Sequence, residues 1–167
     1  MGREAFSLSQ LGFNVTGIDI SERVINEAKQ IAEANNFDLE FLVSNGLDLP
    51  FNDSTFDVVI MWAQTFGLFY GVQNQNHILN ECKRVLKKGG ILSFSGHDRE
   101  YLNNNYKQFL EGSHFYAYAD TDCYWESFTI EEMKNVVINT GFKNIDCQRG
   151  LVYTEEDGTI LHCECRK

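Results

Sequence analysis

The sequence lacks three features that would each assign the protein to a particular class. It has no run of about 18 apolar residues, the length that a membrane-spanning helix needs. Its N-terminus has no basic stretch followed by an apolar core, the pattern of a secretory signal. It is also poor in positive charge. The first two absences predict a cytoplasmic protein that does not act within a membrane.

The shortage of positive charge argues against a nucleic-acid partner. The 167 residues contain 14 Lys and Arg against 24 Asp and Glu, a formal net charge of −10. Binding a nucleic-acid backbone requires clustered basic residues. The densest basic group lies between Lys83 and Lys88, in the last turns of a predicted helix, where it suits the negative end of the helix dipole.

Cysteine is present, but without the spacing of a disulfide framework. The count of five is odd, which favours free thiols in a reducing compartment. Cys163 and Cys165 lie two residues apart on one face of a predicted strand, next to His162. No second ligand pair at zinc spacing accompanies them. The sequence therefore predicts buried thiols and no metal site.

Helical and strand patterns alternate along the whole chain, which is typical of an α/β fold. Such alternation predicts a doubly wound, mostly parallel, Rossmann-like sheet with helices on both faces. The last two strands are joined too briefly for a crossover connection, so we expect an antiparallel C-terminal hairpin. We expect one domain over residues 1–167, and within it residues 98–128 form an aromatic lid or substrate-side insertion.

Polar residues follow the predicted strands at the edge of the sheet where ligands bind in open α/β folds. Asp19 ends the first strand, and its carboxylate either caps the helix that starts at Ser21 or binds two ribose hydroxyls. After the second strand, Asn45 offers an amide that can pair with an adenine edge, and Leu47 can cover an adenine face.

Six segments together resemble the class I S-adenosylmethionine-dependent methyltransferases. They occur in the family's order and cover nearly the whole chain: VTGIDIS, SNGLDLPF, STFDVVIMW, ILNECKRVLKKGGILSF, SFTIEEMKNVVINTGFKNID and LHCECRK. The STFDVVIMW segment contains a nearly continuous apolar run, as expected for a strand that is covered on both faces. The resemblance implies S-adenosyl-L-methionine as cofactor and methyl transfer to a small-molecule acceptor.

The resemblance also implies an adenosine-binding group. Asp19 matches the acidic residue that binds the cofactor ribose, and Ile20 matches the apolar residue beside the adenine. Asn45 stands where the family often has Asp, and its carbonyl oxygen can accept the same bond from the adenine amino group. Gly46 and Leu47 match the neighbouring backbone and apolar contacts.

A second implied group lies near the methionine part of the cofactor and the transferring methyl. It consists of Trp62, Ala63 and Gln64, which follow the family's fourth strand. The family's first strand and its Gly-rich turn have no counterpart in the chain. Gly2 matches the last glycine of that turn, although a single glycine also fits an unrelated N-terminal residue.

The missing strand is central in the family's sheet, between the strands that end at Asp19 and Trp62. Each unpaired buried backbone group costs roughly 1–3 kcal/mol. We therefore expect the gap to be filled by another segment, by a second copy in a strand-swapped homodimer, or by the rest of a longer gene product, which we favour. For these 167 residues alone we expect weak cofactor binding or none.

Methyl transfer is a direct displacement, so a general base is needed only if the acceptor carries a proton. The sequence assigns no catalytic residue. His97 is the best-placed base candidate, although we favour its interpretation as a solvated or hydrogen-bonded loop histidine. An aromatic stretch, with Asp120 or Asp122, forms either a pocket for a cationic or amine acceptor or a packed lid. Its members are Tyr116, Tyr118, Tyr124, Trp125 and Phe128.

The alternative function is a non-catalytic domain that oligomerises or binds a partner.

Overall fold

The computed structural model describes residues 2–105, 115–118, 121–150 and 160–167. The helices are α1 (Arg3–Gln10), α2 (Glu22–Ala34), α3 (Gly71–Val85), α4 (Arg99–Asn105) and α5 (Ile130–Asn139). The strands are β1 (Thr16–Asp19), β2 (Glu40–Val43), β3 (Phe56–Met61), β4 (Leu86–Asp98), β5 (Phe115–Tyr118), β6 (Thr121–Tyr124), β7 (Ser127–Phe128), β8 (Lys143–Arg149) and β9 (Ile160–Arg166). None of the helices in these ranges combines the length and the apolar character needed to cross a membrane. The chain divides into two compact units, Met1–Pro50 and Phe51–Lys167.

In the first unit, β1 and β2 form a parallel pair in which Asp19 lies opposite Val43. The α2 helix buries its Ala28 and Ala32 face against Phe41 of β2. Ser21 caps this helix, since its side chain accepts a hydrogen bond from the Val24 N–H at 3.3 Å. Among the described residues, β1 has one ladder partner, β2.

In the second unit, the sheet has the strand order β3-β4-β9-β8, and β7 also pairs with β4. The β3–β4 pairing is parallel, and β9 runs antiparallel to both β4 and β8. The predicted α/β fold, with parallel pairs and a C-terminal antiparallel hairpin, is confirmed. Thr129 and Glu132 form a capping box that starts α5, which packs against β8 and β9.

The apolar run of β3 is less covered than its composition predicts. Val58 is 48% exposed, so the expected cover on both faces is not complete at this position of β3. Within the described part of the second unit, β3 has one ladder partner, β4. A run of apolar residues indicates a buried strand only where neighbouring elements cover it, and the side chain of Val58 has no such cover.

The prediction that the cysteines are free thiols is wrong for one pair. Cys147 and Cys163 form a disulfide between β8 and β9, with a Cα–Cα distance of 4.1 Å. They are directly opposite each other in the antiparallel ladder, a pairing that the spacing of cysteines along the chain does not show. Cys82 and Cys165 are free and buried, and burial raises the pKa of each thiol to about 12.

Candidate functional site

The carboxyl ends of β1 and β2 bring one predicted group of site residues to a common edge. The Asp19 carboxylate accepts a hydrogen bond from the Ser21 N–H at 2.8 Å through Oδ1. Its Oδ2 takes no hydrogen bond from the residues that the structure describes. The Asp19 carbonyl accepts the Ser44 N–H at 3.0 Å, which fixes the start of the β2 loop beside the end of β1. Asp19 therefore supports the start of α2 through Oδ1, while Oδ2 has no described hydrogen-bond partner.

The neighbouring residues of this edge present an apolar surface and an amide. Ile20 is 72% exposed, which is unusual for a large apolar side chain next to a strand end. Asn45 is exposed, and its Oδ1 accepts the Leu47 N–H at 3.0 Å. Between them, Gly46 is buried with a φ of 77°, a left-handed conformation that glycine adopts without steric cost. The loop is thus shaped by its own short-range hydrogen bonds.

Gly2 precedes α1 in a left-handed conformation, with a φ of 63°. A Cβ at this position would lie 3.1 Å from the Phe6 ring and 3.3 Å from the Phe41 ring. Glycine therefore lets the chain begin α1 close against the aromatic residue of β2. This conformation agrees with the predicted match to a turn glycine and leaves its cofactor role a prediction.

The second predicted group forms a tight turn after β3. Ala63 and Gln64 have φ values of 54° and 57°, which is rare for two consecutive residues other than glycine. Two long-range bonds hold the turn: the Gln64 N–H donates to Ser95 Oγ at 3.1 Å, and Trp125 Nε1 donates to the Gln64 carbonyl at 3.0 Å. The strained backbone is therefore clamped from β4 on one side and from Trp125 on the other.

Trp62 extends from the same turn across the neighbouring strand. Its indole Nε1 donates to Ser93 Oγ at 2.9 Å, and its ring centroid lies 6.2 Å from that of His162 on β9. The side chain remains 37% exposed. Sequence reasoning missed Ser93 and Ser95, although their alternation in ILSFSG is the signal that places both on one face of the strand.

A 3-10 turn, Thr65–Leu68, anchors this region to the core. Phe66 is fully buried and packs against Phe94 and Phe128, with ring centroids 4.9 and 5.2 Å apart. At Gly67, an added Cβ would lie only 2.4 Å from the Glu126 carbonyl oxygen. The sequence analysis did not single out Gly67. The close contact that excludes a side chain there comes from a segment about sixty residues away in the sequence.

His97 lies near the end of β4, with its ring centroid 4.6 Å from that of Trp125. Its Nδ1 is buried and has no hydrogen-bond partner among the described residues. Burial lowers the pKa of His97 to about 4, so the imidazole is neutral at pH 7. The expectation of a solvated loop histidine is wrong, because β4 continues through Asp98 and holds the ring in the fold.

The aromatic stretch is described only in part. Trp125 holds the Gln64 turn, Phe128 packs in the core, and the Tyr124 hydroxyl donates to Glu126 at 2.6 Å. Burial, followed by the bond to Glu126, raises the pKa of Tyr124 to about 12. The remaining predicted members lie outside the described residues or side chains: Tyr116, Tyr118, Asp120 and Asp122.

Asp98 is a buried carboxylate that the sequence analysis missed. It is 1% exposed, forms an ion pair with Arg149 of β8, and accepts the Glu100 N–H at 2.9 Å. A buried charge with these partners is satisfied. Asp98 therefore fixes the exit of the chain from β4, directly beyond His97.

A family model described as a methyltransferase domain matches residues 1–94, which is more than half of the chain. The chain belongs to the methyltransferase-domain family. This domain shares 28% identity with an uncharacterized protein of Haemophilus influenzae, over 93% of the chain and 63% of the relative. It shares 42% identity with a demethylmenaquinone methyltransferase of Bacillus cereus, over 46% of the chain and 31% of that enzyme. The methyltransferase domain described here therefore spans less than two thirds of each of these relatives.

The crystal structure of a SAM-dependent methyltransferase from Methanosarcina mazei has the same fold. It superposes with a TM-score of 0.82 and 22% identity, over 99% of this methyltransferase domain and 87% of the other chain. At this identity the likeness concerns the fold alone. The fold and the family inferred from the six sequence segments are thus confirmed.

Proposed function

We propose that the methyltransferase domain to which these residues belong binds S-adenosyl-L-methionine and transfers its methyl group to a small-molecule acceptor, with weak cofactor binding by the 167 residues alone. The observation that carries this proposal is the edge formed by Asp19 and Ile20. A carboxylate with an oxygen free of described hydrogen bonds lies beside an apolar side chain that is 72% exposed. Together these groups suit a ribose and the adenine attached to it, because a carboxylate accepts from paired hydroxyls and an apolar side chain covers a ring face.

In this proposal the loop after β2 supplies the adenine contacts. The Asn45 carbonyl oxygen has two lone pairs, and the Leu47 N–H uses one of them. The second lone pair can accept a hydrogen bond from the adenine amino group. Asn45 can therefore make the contact for which the family often uses Asp. Leu47 is half-buried, and in this proposal its side chain covers one face of the adenine ring.

The turn of Trp62, Ala63 and Gln64 serves the methionine side in this proposal. When bound, the cofactor would supply a methyl group on a sulfonium, from which a neutral thioether is a good leaving group in a direct displacement. The residues of the chain then act by alignment and by exclusion of water. A turn clamped by Ser95 and Trp125 suits that task, because its backbone geometry is fixed before a ligand arrives.

Calorimetric titration with S-adenosylmethionine and S-adenosylhomocysteine tests the proposal. Asp19→Asn should weaken binding about 10- to 100-fold, since a charge-assisted hydrogen bond contributes about 1.5–3 kcal/mol. The Asn oxygen still accepts the Ser21 N–H, so the local turn is preserved. The exposed Asp38→Asn is the matched control and should bind as the unmodified chain does. Absence of binding by the unmodified chain at millimolar cofactor contradicts the proposal.

A further inference from the structure

One ring nitrogen of His97 takes no part in the hydrogen bonds that the structure describes. Its Nδ1 is buried and has no partner in the described ranges, a situation that costs about 1–3 kcal/mol. Buried polar groups in native proteins are almost always paired, so an exception calls for a partner, which a water molecule or a bound ligand can supply. We propose that His97 receives the proton of the methyl acceptor, and that the acceptor nucleophile is a hydroxyl oxygen. This inference rests on the proposed methyl transfer and extends it to the acceptor.

The position of His97 supports this role. Ser95 and His97 are two residues apart on β4, so they lie on the same face of the strand. Ser95 holds the Gln64 N–H, and Trp125, which holds the Gln64 carbonyl, also contacts the His97 ring. His97 is therefore one step nearer to the carboxyl end of the parallel β3–β4 pair than the clamp of the turn. That end is where ligands bind in open α/β sheets.

The electrostatic environment suits a reaction with a cationic methyl donor. Burial is the cause of the lowered pKa of His97, and no charged residue contributes to it. The imidazole is therefore neutral at physiological pH and places no positive charge beside a sulfonium. Nδ1 has no partner among the described residues, so no described hydrogen bond at this atom fixes the tautomer, and the neutral ring always has one unprotonated nitrogen.

The weak basicity of the ring favours a hydroxyl over an amine acceptor. As the new bond forms between oxygen and the methyl carbon, the carbon–sulfur bond breaks and its electron pair stays on sulfur. The hydroxyl proton passes to the unprotonated nitrogen of His97 and later to solvent, which leaves a methyl ether and a thioether. A methylated hydroxyl that still carries its proton is a far stronger acid than an imidazolium, so even a weak base accepts it. A methylated alkylamine would keep its proton.

The test compares acceptors of three chemical types with radiolabelled S-adenosylmethionine. Phenol and catechol are the hydroxyl probes, benzylamine is the amine probe, and thiophenol is the thiol probe. The unmodified chain should methylate a hydroxyl probe. His97→Phe retains an aromatic ring against Trp125 and should lower kcat/KM about 100- to 10,000-fold, the range for loss of a general base. Its cofactor affinity should stay within twofold, and exposed His77→Gln is the control.

Chemical rescue separates a proton acceptor from a packing residue. His97→Ala should recover part of its lost rate when imidazole is added, whereas a variant that had lost only packing would not respond. Methylation of benzylamine or thiophenol alone, or full activity in His97→Phe, overturns this inference and leaves the proposed methyl transfer intact. A chain that binds no cofactor in calorimetry overturns the proposed function, and this inference falls with it.

Discussion

The two groups of candidate site residues are built in different ways. At the ends of β1 and β2, side chains bond to backbone atoms two residues away: Asp19 to Ser21, Ser44 to Gly46, and Asn45 to Leu47. At the turn after β3, one local bond joins the Thr65 hydroxyl to the Trp62 carbonyl, but the other side-chain bonds join partners 31 or 61 residues apart. Side-chain bonds of short range therefore shape the first region, in addition to the backbone bond from Ser44 to Asp19, whereas side-chain bonds across the second unit hold the turn after β3.

This difference determines how each region responds to substitution. Loss of a short-range hydrogen bond at the surface removes one interaction and leaves the neighbouring backbone in place. Loss of a long-range partner releases a strained turn, because Ala63 and Gln64 keep left-handed conformations only while the surrounding structure holds them. The β3 turn should therefore depend on the core, and the β1–β2 edge should not.

The largest expected effect is that of Phe66→Ala. The ring is fully buried between Phe94 and Phe128, so its removal should lower the free energy of unfolding by about 3–5 kcal/mol. Urea unfolding followed by tryptophan fluorescence measures the change. Asn45→Ala is the counterpart at the β1–β2 edge and should cost about 1 kcal/mol or less, because Asn45 is exposed. Equal costs for the two variants would contradict the comparison.

The second prediction concerns acid stability in the β4 region. The pKa of His97 is about 4 in the fold and near its usual value of about 6.5 in the unfolded chain. Between these values the unfolded chain binds more protons, so acidification favours unfolding. The unmodified chain should lose roughly 1 kcal/mol per pH unit more than His97→Phe between pH 6.5 and 4. Parallel curves for the two chains over this window would show that the imidazole is not held neutral.

What the sequence reveals follows the same division. The strand end at Asp19 and the helix start at Ser21 are local patterns, and each was predicted correctly. The alternation of helices and strands likewise predicted the sheet and its C-terminal hairpin. Gly67 and the Cys147–Cys163 disulfide depend on segments that meet only in the folded chain. The spacing of residues along a single sequence does not show which distant segments come into contact.

The third prediction measures the clamp itself. Trp125→Phe removes the indole N–H that bonds the Gln64 carbonyl, and Ser95→Ala removes the acceptor of the Gln64 N–H. Each variant should lower the free energy of unfolding by about 1 kcal/mol. Because both bonds hold the same residue, the double variant should depart from additivity by at least about 0.5 kcal/mol. Strict additivity would indicate that the two bonds act independently and that no clamp exists.

The smallest expected effect compares two left-handed positions. Gly46 at the β1–β2 edge has a φ of 77°, which glycine adopts without strain. Ala63 has a φ of 54°, which is strained for a residue with a side chain. Ala63→Gly relieves backbone strain but gains freedom in the unfolded chain, so the free energy of unfolding should rise by only about 0.5 kcal/mol. Gly46→Ala should lower it by about 1 kcal/mol. If Ala63→Gly also weakens S-adenosylhomocysteine binding, the strain at this turn serves ligand binding; a gain in both properties would show that it does not.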